Sequence, residues 1–490
     1  MLVVLVAAKN DKSAPRVRLL WSLLVRSPTV ASPSTLLWHL HAAHGPVITL
    51  RTGGSKPAIF IAGHDLAHRT LVRMGAAFAH RPAPPSWWPW RDGGVNGHAI
   101  NSAAYGGRWA LLRRNLGAHL AAADLGGALH SSIDRMVRGL ELEGGDNGVV
   151  VPSEMIRDAV FRLLAALCFG EEEDTTLARL RGLHAEIPLA RRRARRLAHY
   201  FPRWSKLFGA HKRHHAIVTA LIDARRRRRE EVDVSGFDRA AEERRCYVDT
   251  LLKLGLGDNE MVSLCWEFMN ATAKTTTTAL EWIMARLVLH QDIQQKLWDD
   301  MVRRSAGSGN CSDRRPFVEA VVLEALRRHP PAHYLLAHTT DKDVAIDGYV
   351  IHKGSVVNYC VAEIGRDAKL WTDPDVFRPE RFLEGGEGTC AVVPGLSCGS
   401  REPTATTKMM PFGAGRRACP GAAVAVKVLQ AFTEDLIRRF KWIPVVSGQG
   451  EEPAVNMAEK AGLVTEMRMP LRARLDRRHH EFSSDKQHSV

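Results

Sequence analysis

The sequence lacks an apolar run long enough to cross a bilayer, which takes about 20 residues. Two short apolar runs near the N-terminus occupy residues 1–8 and 19–25, and charged residues border both. In the first run the charges follow the apolar stretch, an order that argues against a signal peptide. We therefore interpret residues 1–30 as an atypical N-terminal segment without a full membrane anchor.

The sequence also lacks paired cysteines, because none of its eight cysteines stands in a CxxC motif. Scattered cysteines argue against a disulfide framework or a zinc site and favour a reduced compartment. The pattern fits one reactive cysteine among inert ones. The eight are Cys168, Cys246, Cys265, Cys311, Cys360, Cys390, Cys398 and Cys419.

Acidic residues are fewer than basic ones, 53 against 68, which gives a net charge of +15. Such an excess favours an acidic partner, and composition alone leaves open whether that partner is nucleic acid, an anionic membrane surface or an acidic protein. One basic run, at residues 225–229, is interpreted as a solvated helix face. The hydrophobic fraction of 45% is that of an ordinary globular protein and excludes a disordered chain.

Hydrophobic periodicity predicts a mainly α-helical protein with a minor β-sheet built from both ends of the sequence. The longest periodic segment, residues 259–290, is apolar around much of its circumference, which predicts a buried central helix. A helix at residues 317–328 is predicted to stop before Pro330, because proline lacks the N–H that a helix needs. Further predictions are a helix at 34–44, strands at 46–51 and 58–61, mostly helical structure from about 103 to 300, strands within 334–362 around a turn at Asp347 and Gly348, a loop at 384–407, and a helix at 421–440.

No linker divides the chain, and no internal repeat is visible, so we predict one large domain. Its predicted bounds are residues 31–474, after the N-terminal segment of residues 1–30. Residues 475–490 are predicted to form a polar tail that is frayed from about Leu475 onward.

A glycine-rich loop around Cys419 carries the clearest chemical signal. Residues 411–421 read Pro-Phe-Gly-Ala-Gly-Arg-Arg-Ala-Cys-Pro-Gly and directly precede an apolar helix. Glycine lets the backbone approach another group closely or adopt a positive φ. A cysteine beside arginines and at a helix N-terminus is expected to exist as thiolate. Backbone N–H groups would hydrogen-bond that sulfur, and Phe412 would shield it.

This segment resembles the signature of the cytochrome P450 family, Phe-x-x-Gly-x-Arg-x-Cys-x-Gly. All five fixed positions are met, by Phe412, Gly415, Arg417, Cys419 and Gly421. The resemblance runs from about residue 37 to residue 474. It implies the cytochrome P450 fold, a single large helical domain with haem b (iron protoporphyrin IX) buried between the central helix and the cysteine loop. It also implies that Cys419 is the iron ligand, whose thiolate favours O–O cleavage.

Two further motifs of this family supply a structural cluster. Glu324 and Arg327 lie three residues apart on the helix at 317–328, so they share a face and can pair. The segment at 377–382 reads Phe-Arg-Pro-Glu-Arg-Phe, and it resembles the family element whose arginine, here Arg381, completes a buried Glu–Arg–Arg cluster. The resemblance implies that this cluster fixes the segment carrying the cysteine loop.

The same resemblance assigns four residues to the haem propionates. Trp109 and Arg113 stand at i and i+4 on one helix face, where Arg113 would pair with a propionate carboxylate. Arg417 and His338 would be further contacts. Taken alone, Trp109 is equally well explained as an aromatic anchor of its helix.

The central helix departs from the family pattern at the oxygen-binding groove. Thr275 stands where the family has the hydroxyl that assists dioxygen binding and proton delivery. Lys274 replaces the acid of that relay, and Thr272 replaces a glycine. A lysine is normally protonated and cannot accept a proton unless burial lowers its pKa. Altered or impaired oxygen activation, as in an isomerase, a dehydratase or an inactive copy, is therefore an open alternative.

The resemblance to plant microsomal, A-type members implies a monooxygenase of plant secondary metabolism. The implied reaction is hydroxylation of a small apolar organic substrate with dioxygen, with NADPH electrons supplied by an NADPH–cytochrome reductase, a flavoprotein. The implied location is the cytosolic face of the endoplasmic reticulum membrane, with a membrane surface as a candidate partner and no nucleic acid. A non-catalytic basic binding protein is the remaining alternative.

Positions expected to line the substrate pocket are 96–100, 268–273, 334–336 and 455–458. Residues 191–196 form a basic run expected to face the membrane.

Overall fold

The structure is a computed structural model that is mainly helical, as predicted, with several small sheets. It divides into two compact units, which are described separately. The first comprises Met1–His80, Met136–Ile156 and Thr275–Val490, and the second comprises Arg81–Arg135 and Arg157–Lys274. The structure describes residues 2–5, 16–17, 33–52, 57–82, 99–145, 148–170, 172–197, 206–235, 246–305, 316–389, 408–445, 455–460 and 462–478.

Thirteen helices of the α type occur within these described ranges. They are α1 (Pro33–His44), α2 (His64–His68), α3 (Gly107–Ala122), α4 (Gly126–Gly144), α5 (Ser153–Phe169), α6 (Asp174–Leu197), α7 (Lys206–Ser235), α8 (Tyr247–Leu252), α9 (Asp258–Leu289), α10 (Gln291–Ser305), α11 (Phe317–Arg328), α12 (Val361–Ile364) and α13 (Ala422–Arg439). A π turn at Arg69–Arg73 continues α2, and short 3₁₀ turns occupy Pro379–Phe382 and Gly415–Arg417.

The strands are short, and the largest sheet lies in the first unit. They are β1 (Leu2–Leu5), β2 (Arg16–Val17), β3 (Val47–Thr52), β4 (Ala58–Ile61), β5 (Val149–Val150), β6 (His338–Thr339), β7 (Val344–Ile346), β8 (Tyr349–Ile351), β9 (Val356–Tyr359), β10 (Phe440–Pro444), β11 (Glu459–Lys460), β12 (Glu466–Met467) and β13 (Ala473–Arg477). The six-stranded sheet has the order β2-β1-β3-β4-β9-β6. Strand β4, near the N-terminus, pairs in parallel with β9, in the last third of the sequence. The sheet therefore combines segments from both ends of the sequence, as predicted.

The predicted turn at Asp347 and Gly348 joins β7 to β8. Both residues have positive φ, 52° and 78°. Two successive left-handed residues are what a tight two-residue hairpin requires, because that turn matches the right-handed twist of the strands.

The predicted frayed tail begins too early. Strand β13 runs to Arg477 and pairs antiparallel with β10 over its whole length, from Ala473 opposite Pro444 to Arg477 opposite Phe440. The prediction of fraying from Leu475 is therefore wrong for residues 475–477, because hydrogen bonds to a distant strand outweigh their local polarity.

The core of the first unit packs the large sheet against α2, its π turn and the start of the cysteine loop. The exposed fraction of each member is 6% or less, so the cluster is shielded from water. It includes Ile59, Ile61, Leu66, Leu71, Phe78, Val357, Tyr359, Met410 and Ala414. The sheet and the π turn therefore form the base on which the cysteine loop rests.

One basic residue of the run at 225–229 is not solvated. Arg225 donates to both carboxylate oxygens of Asp249 at 2.8 Å, and its side chain is only 18% exposed. The same carboxylate accepts the backbone N–H of Cys246 at the start of α8. The interpretation of Arg225 as part of a solvated face is wrong, because its partner lies on another helix and was not visible in the local pattern.

A group of histidines in the second unit surrounds Trp266 of helix α9. The ring centroids of His184 and His214 lie 4.5 and 4.4 Å from the indole ring, and His211 lies 5.8 Å away. Burial lowers the pKa of His184 to about 4 and that of His214 to about 2, because removal from water disfavours the charged imidazolium. These rings are therefore neutral in the folded protein at neutral pH.

Acid is expected to destabilise the protein through this group. Between pH 6.5 and 4 the unfolded chain protonates His184 and the folded protein does not, so stability falls as the pH falls through this window. The expected loss is about 1.4 kcal/mol per pH unit for His184. Urea unfolding between pH 7 and 5 measures it, and His184→Phe should flatten the slope. His130→Phe, at a site that is 76% exposed, is the control, and equal slopes in all three proteins would contradict the assignment.

Candidate active site at the cysteine loop

The loop around Cys419 is closed on itself by backbone hydrogen bonds. The N–H of Cys419 donates to the carbonyl of Phe412 at 2.8 Å, and the N–H of Gly413 donates to the carbonyl of Met410 at 2.9 Å. Gly413 and Gly415 both have a φ of +68°. This conformation is strained for residues with a side chain, so the glycines permit the tight path that the sequence predicted.

Gly415 also makes the closest approach in the loop. A Cβ atom at this position would stand 1.8 Å from the carbonyl oxygen of Leu71, in the π turn at Arg69–Arg73. No side chain fits there without moving one of the two backbones. The loop is therefore seated backbone to backbone on the π turn.

Cys419 differs from the other cysteines in its access to solvent. Among the described cysteines Cys419 is exposed, whereas Cys168, Cys246, Cys265 and Cys360 are buried. The residue stands three positions before the first residue of α13, whose unpaired N–H groups carry partial positive charge that favours a negative sulfur nearby. An accessible sulfur held by backbone next to a helix N-terminus has the chemistry of a metal ligand, so the loop fits a haem iron.

Two predicted propionate contacts are anchored on neighbouring carbonyl groups. Arg417 donates from Nε to the carbonyl of Ala79 at 2.8 Å. His338 is buried and donates from Nδ1 to the carbonyl of Phe78 at 2.6 Å, because a carbonyl can only accept. The structure thus brings His338 and Arg417 to the same short segment, five to six residues after the π turn, and fixes one tautomer of the histidine.

The other two predicted contacts lie together on α3 in the second unit. The guanidinium carbon of Arg113 is 5.7 Å from the ring centroid of Trp109, within range of a cation–π contact. Trp109 is buried, and the ring of Tyr105 lies 5.1 Å from it. The predicted shared face is present, and the predicted role at the propionates stays a prediction.

The structure brings the three residues of the predicted Glu–Arg–Arg cluster together, and all three side chains are 0% exposed. Glu324 binds Arg327 through two hydrogen bonds of 2.7 and 2.8 Å and accepts from Nε of Arg381 at 3.4 Å. Arg327 also donates to the carbonyls of Gly365 and Pro374. The cluster therefore ties helix α11 to the segment at 365–382.

Sequence reasoning missed a second carboxylate in this network, Glu387. It pairs with Arg381 and accepts the backbone N–H of Thr372 at 2.9 Å. Partial burial would raise the pKa of Glu387, but the Thr372 N–H and the Arg381 guanidinium outweigh burial and lower it to about 2. No local signal could have identified it, since it stands in a Gly-rich stretch typical of a loop.

The residues of the predicted oxygen groove, Thr272, Lys274 and Thr275, lie within about one turn of α9. The hydroxyl of Thr272 donates to the carbonyl of Phe268 at 2.5 Å, a bond back to its own helix. Lys274 is exposed, and Thr275 is half-buried. Their proposed roles in proton delivery stay predictions.

Glu267, on the same helix, holds part of the predicted pocket lining. Its two carboxylate oxygens accept the backbone N–H groups of Ile100 and Asn101, each at 2.6 Å. Among the other predicted lining positions, residues 96–98 lie outside the described residues, and Val455 is buried. The sequence offered no signal for a carboxylate clamp of this kind.

Comparison with known proteins decides the family. The family model described as Cytochrome P450 matches residues 13–466. The chain belongs to the cytochrome P450 family. This cytochrome P450 is 33% identical over 479 residues to Cytochrome P450 89A9 of Arabidopsis thaliana, an alignment covering 90% of this chain and 88% of the relative. Its identity to the flavonoid 3′-monooxygenase of Arabidopsis thaliana is 27% over 487 residues, covering 92% and 89%.

A solved zebra fish cytochrome P450 with progesterone has the same fold. The TM-score is 0.72 at 20% identity, and the match covers 91% of this chain and all of the zebra fish chain. The predicted cytochrome P450 fold is therefore confirmed.

Membership makes this cytochrome P450 a haem-thiolate monooxygenase, an oxidoreductase that incorporates oxygen from dioxygen. Its cofactor is a haem iron with a cysteine ligand, and its electrons come from a redox partner. Within the described ranges, no helix has both the length and the apolar character needed to span a membrane.

Proposed function

We propose that the protein hydroxylates a small apolar organic substrate in plant secondary metabolism, with NADPH electrons delivered by a flavoprotein reductase. The observation that carries the proposal is the accessible sulfur of Cys419, held in a closed loop before α13. In the proposal Cys419 is the ligand of haem b, and the bound haem supplies the oxidising chemistry.

The surrounding residues have separate roles in this proposal. Arg417 and His338, both held by carbonyls after the π turn, are the proposed propionate contacts in the first unit. Arg113 and Trp109 are the proposed propionate contacts on α3. Phe412 shields the bound sulfur in this proposal, and Gly421 stands at the N-cap of α13. The Glu324–Arg327–Arg381 cluster positions the segment that leads to the loop.

The hydroxyl of Thr275 is proposed to pass a proton toward the oxygen site. Lys274 stands where the family carries an acid, and it is exposed. In the proposal Lys274 takes part in this relay from the position before Thr275. The alternative of lost oxygen activation has no support among the relatives, whose names include monooxygenases and hydroxylases.

The proposed substrate class and location rest on the plant relatives and on charge. The relatives include a flavonoid 3′-monooxygenase and a geranylhydroquinone 3″-hydroxylase, both named for the oxidation of a small organic molecule. The net charge of +15 suits an acidic reductase surface and an anionic lipid surface. We place the protein at the cytosolic face of the endoplasmic reticulum membrane.

Two measurements on the purified protein test this function. The reduced, carbon-monoxide-bound protein is expected to show the red-shifted band of a haem-thiolate. With reductase, NADPH and ¹⁸O₂, a flavonoid lacking the 3′-hydroxyl group and geranylhydroquinone serve as probes, and labelled product is expected only when NADPH is present. Absence of the band would reject the thiolate site, and a normal band without labelled product from either probe would reject the substrate class.

A further inference from the structure

A second group of potential metal ligands lies in the first unit, at the contact between α1 and the start of α12. His41 is on the last turn of α1, Cys360 directly precedes α12, and Glu363 lies within α12. The ligand atoms of the three side chains all lie within 4.8 Å of one another. His41 Nδ1 and Glu363 Oε2 are 2.8 Å apart. The three side chains therefore converge on one point, although they are far apart in sequence.

We propose that His41, Cys360 and Glu363 bind one zinc-class divalent cation. The proposal is independent of the haem chemistry and of the proposed function. It places the cation on the imidazole Nδ1, the thiolate sulfur and one carboxylate oxygen.

The types of ligand select the class of metal. A thiolate favours zinc or another thiophilic ion over magnesium and calcium, which prefer oxygen alone, and imidazole and carboxylate are also usual zinc ligands. A neutral imidazole, a thiolate and a carboxylate together carry two negative charges, which a divalent cation neutralises. This balance matters because Cys360 is 1% exposed and the His41 and Glu363 side chains are 6% and 16% exposed.

The surroundings of His41 suit a metal-binding imidazole. Its other ring nitrogen, Nε2, lies 3.4 Å from the backbone carbonyl of Phe60. Metal-ligating histidines usually donate their second N–H to such an oxygen, which leaves the first nitrogen as a lone-pair donor. With Nε2 protonated, the lone pair of Nδ1 points at the Glu363 oxygen, and a cation between the two atoms removes their repulsion.

A groove of about 1070 Å³ opens onto the cluster, and both His41 and Glu363 line it. Three protein ligands fill three positions of a tetrahedral zinc ion. The fourth position faces this groove, where a water molecule or a small anionic ligand completes the shell. The cation would also fasten α1 to the junction between β9 and α12, so zinc is expected to raise the unfolding temperature.

Metal content is the first test, made on the full-length haem-loaded protein after treatment with a chelator and dialysis against buffered zinc chloride. The iron of the haem serves as the internal count of folded chains. Wild type is expected to retain about one more tightly bound zinc per iron than Cys360→Ser or Glu363→Gln. Loss of a ligand should lower the zinc affinity by ~100-fold or more, since even groups that only hydrogen-bond a ligand contribute about 10–100-fold. His44→Ala, an exposed histidine on the same turn as His41, is the matched control and should bind like wild type.

X-ray absorption at the zinc edge is the second test, and it does not depend on any variant folding well. Wild type should show one sulfur at about 2.3 Å, as expected for a zinc–thiolate bond, and Cys360→Ser should lose it. Zinc bound to nitrogen and oxygen alone in wild type would overturn the proposal. So would equal zinc retention in wild type, Cys360→Ser and Glu363→Gln, because the metal would then lie on surface histidines.

Discussion

Cys419→Ala is expected to abolish both monooxygenase turnover and the red-shifted band of the reduced, carbon-monoxide-bound protein. The reason is that alanine offers no sulfur to the iron, and electron donation by a thiolate is what favours O–O cleavage. The loop itself should keep its path, since the Cys419 N–H to Phe412 carbonyl bond does not involve the side chain. Difference spectra and NADPH-dependent product formation measure the two losses.

Cys168→Ala is the control for this change. Cys168 is buried at the end of α5, and its thiol lies in the second unit. It should keep the band and the turnover and lose only a modest amount of stability, as small truncations in a core usually do. A red-shifted band that survived in Cys419→Ala would mean that another cysteine is the ligand.

Glu324→Ala is expected to reduce the free energy of unfolding by about 3–5 kcal/mol, because it leaves the buried guanidinium of Arg327 without its carboxylate and Arg381 with Glu387 alone. Arg327 and Arg381 are both fully buried, so water cannot replace Glu324. The backbone N–H of Arg378, which donates to Glu324 at 2.9 Å, would lose its acceptor as well. Denaturant unfolding measures the loss, and haem retention during purification gives a second readout.

Glu380→Ala is a matched control from the neighbouring turn. Glu380 pairs with Lys296 at 2.9 Å, but the two side chains are 40% and 56% exposed. Exposed pairs contribute about 0–1 kcal/mol, so this variant should unfold much like wild type. Equal losses in Glu324→Ala and Glu380→Ala would show that burial does not govern the energy of the cluster.

Elements with strong local signals could be predicted from the sequence. Helix α11 begins and ends at the predicted residues, because Pro316 and Pro330 border an apolar repeat on both sides. The cysteine loop was also predictable, since its glycines are needed for a local backbone path. The Glu–Arg–Arg cluster needed a family pattern, because Arg381 lies 57 residues from Glu324 and only the fold brings the two together.

Features that depend on distant partners could not be predicted. The pairing of residues 475–477 leaves no local signal, because their partner strand, β10, is separated from them in sequence. The ion pair of Arg225 likewise leaves no local signal, because Asp249 lies 24 residues away on another helix. The same reason explains why the sequence did not predict the contacts of Glu387, those of Glu267 or the cluster at His41. In each case folding brings together groups that are distant in sequence.

The parallel pairing of β4 with β9 has a consequence for synthesis of the chain. Ala58 leaves the ribosome about 300 residues before Val356, its partner, which at 5–20 residues per second is roughly 15–60 s. During that time the nascent sheet has an open edge that can pair with other chains. The π turn that contacts Gly415 is likewise synthesised long before the cysteine loop, which lies in the last quarter of the sequence. A complete haem-binding loop therefore exists only after translation has nearly ended. Haem insertion is therefore expected to be a late event, and until then the sheet edge of the growing chain stays open to pairing.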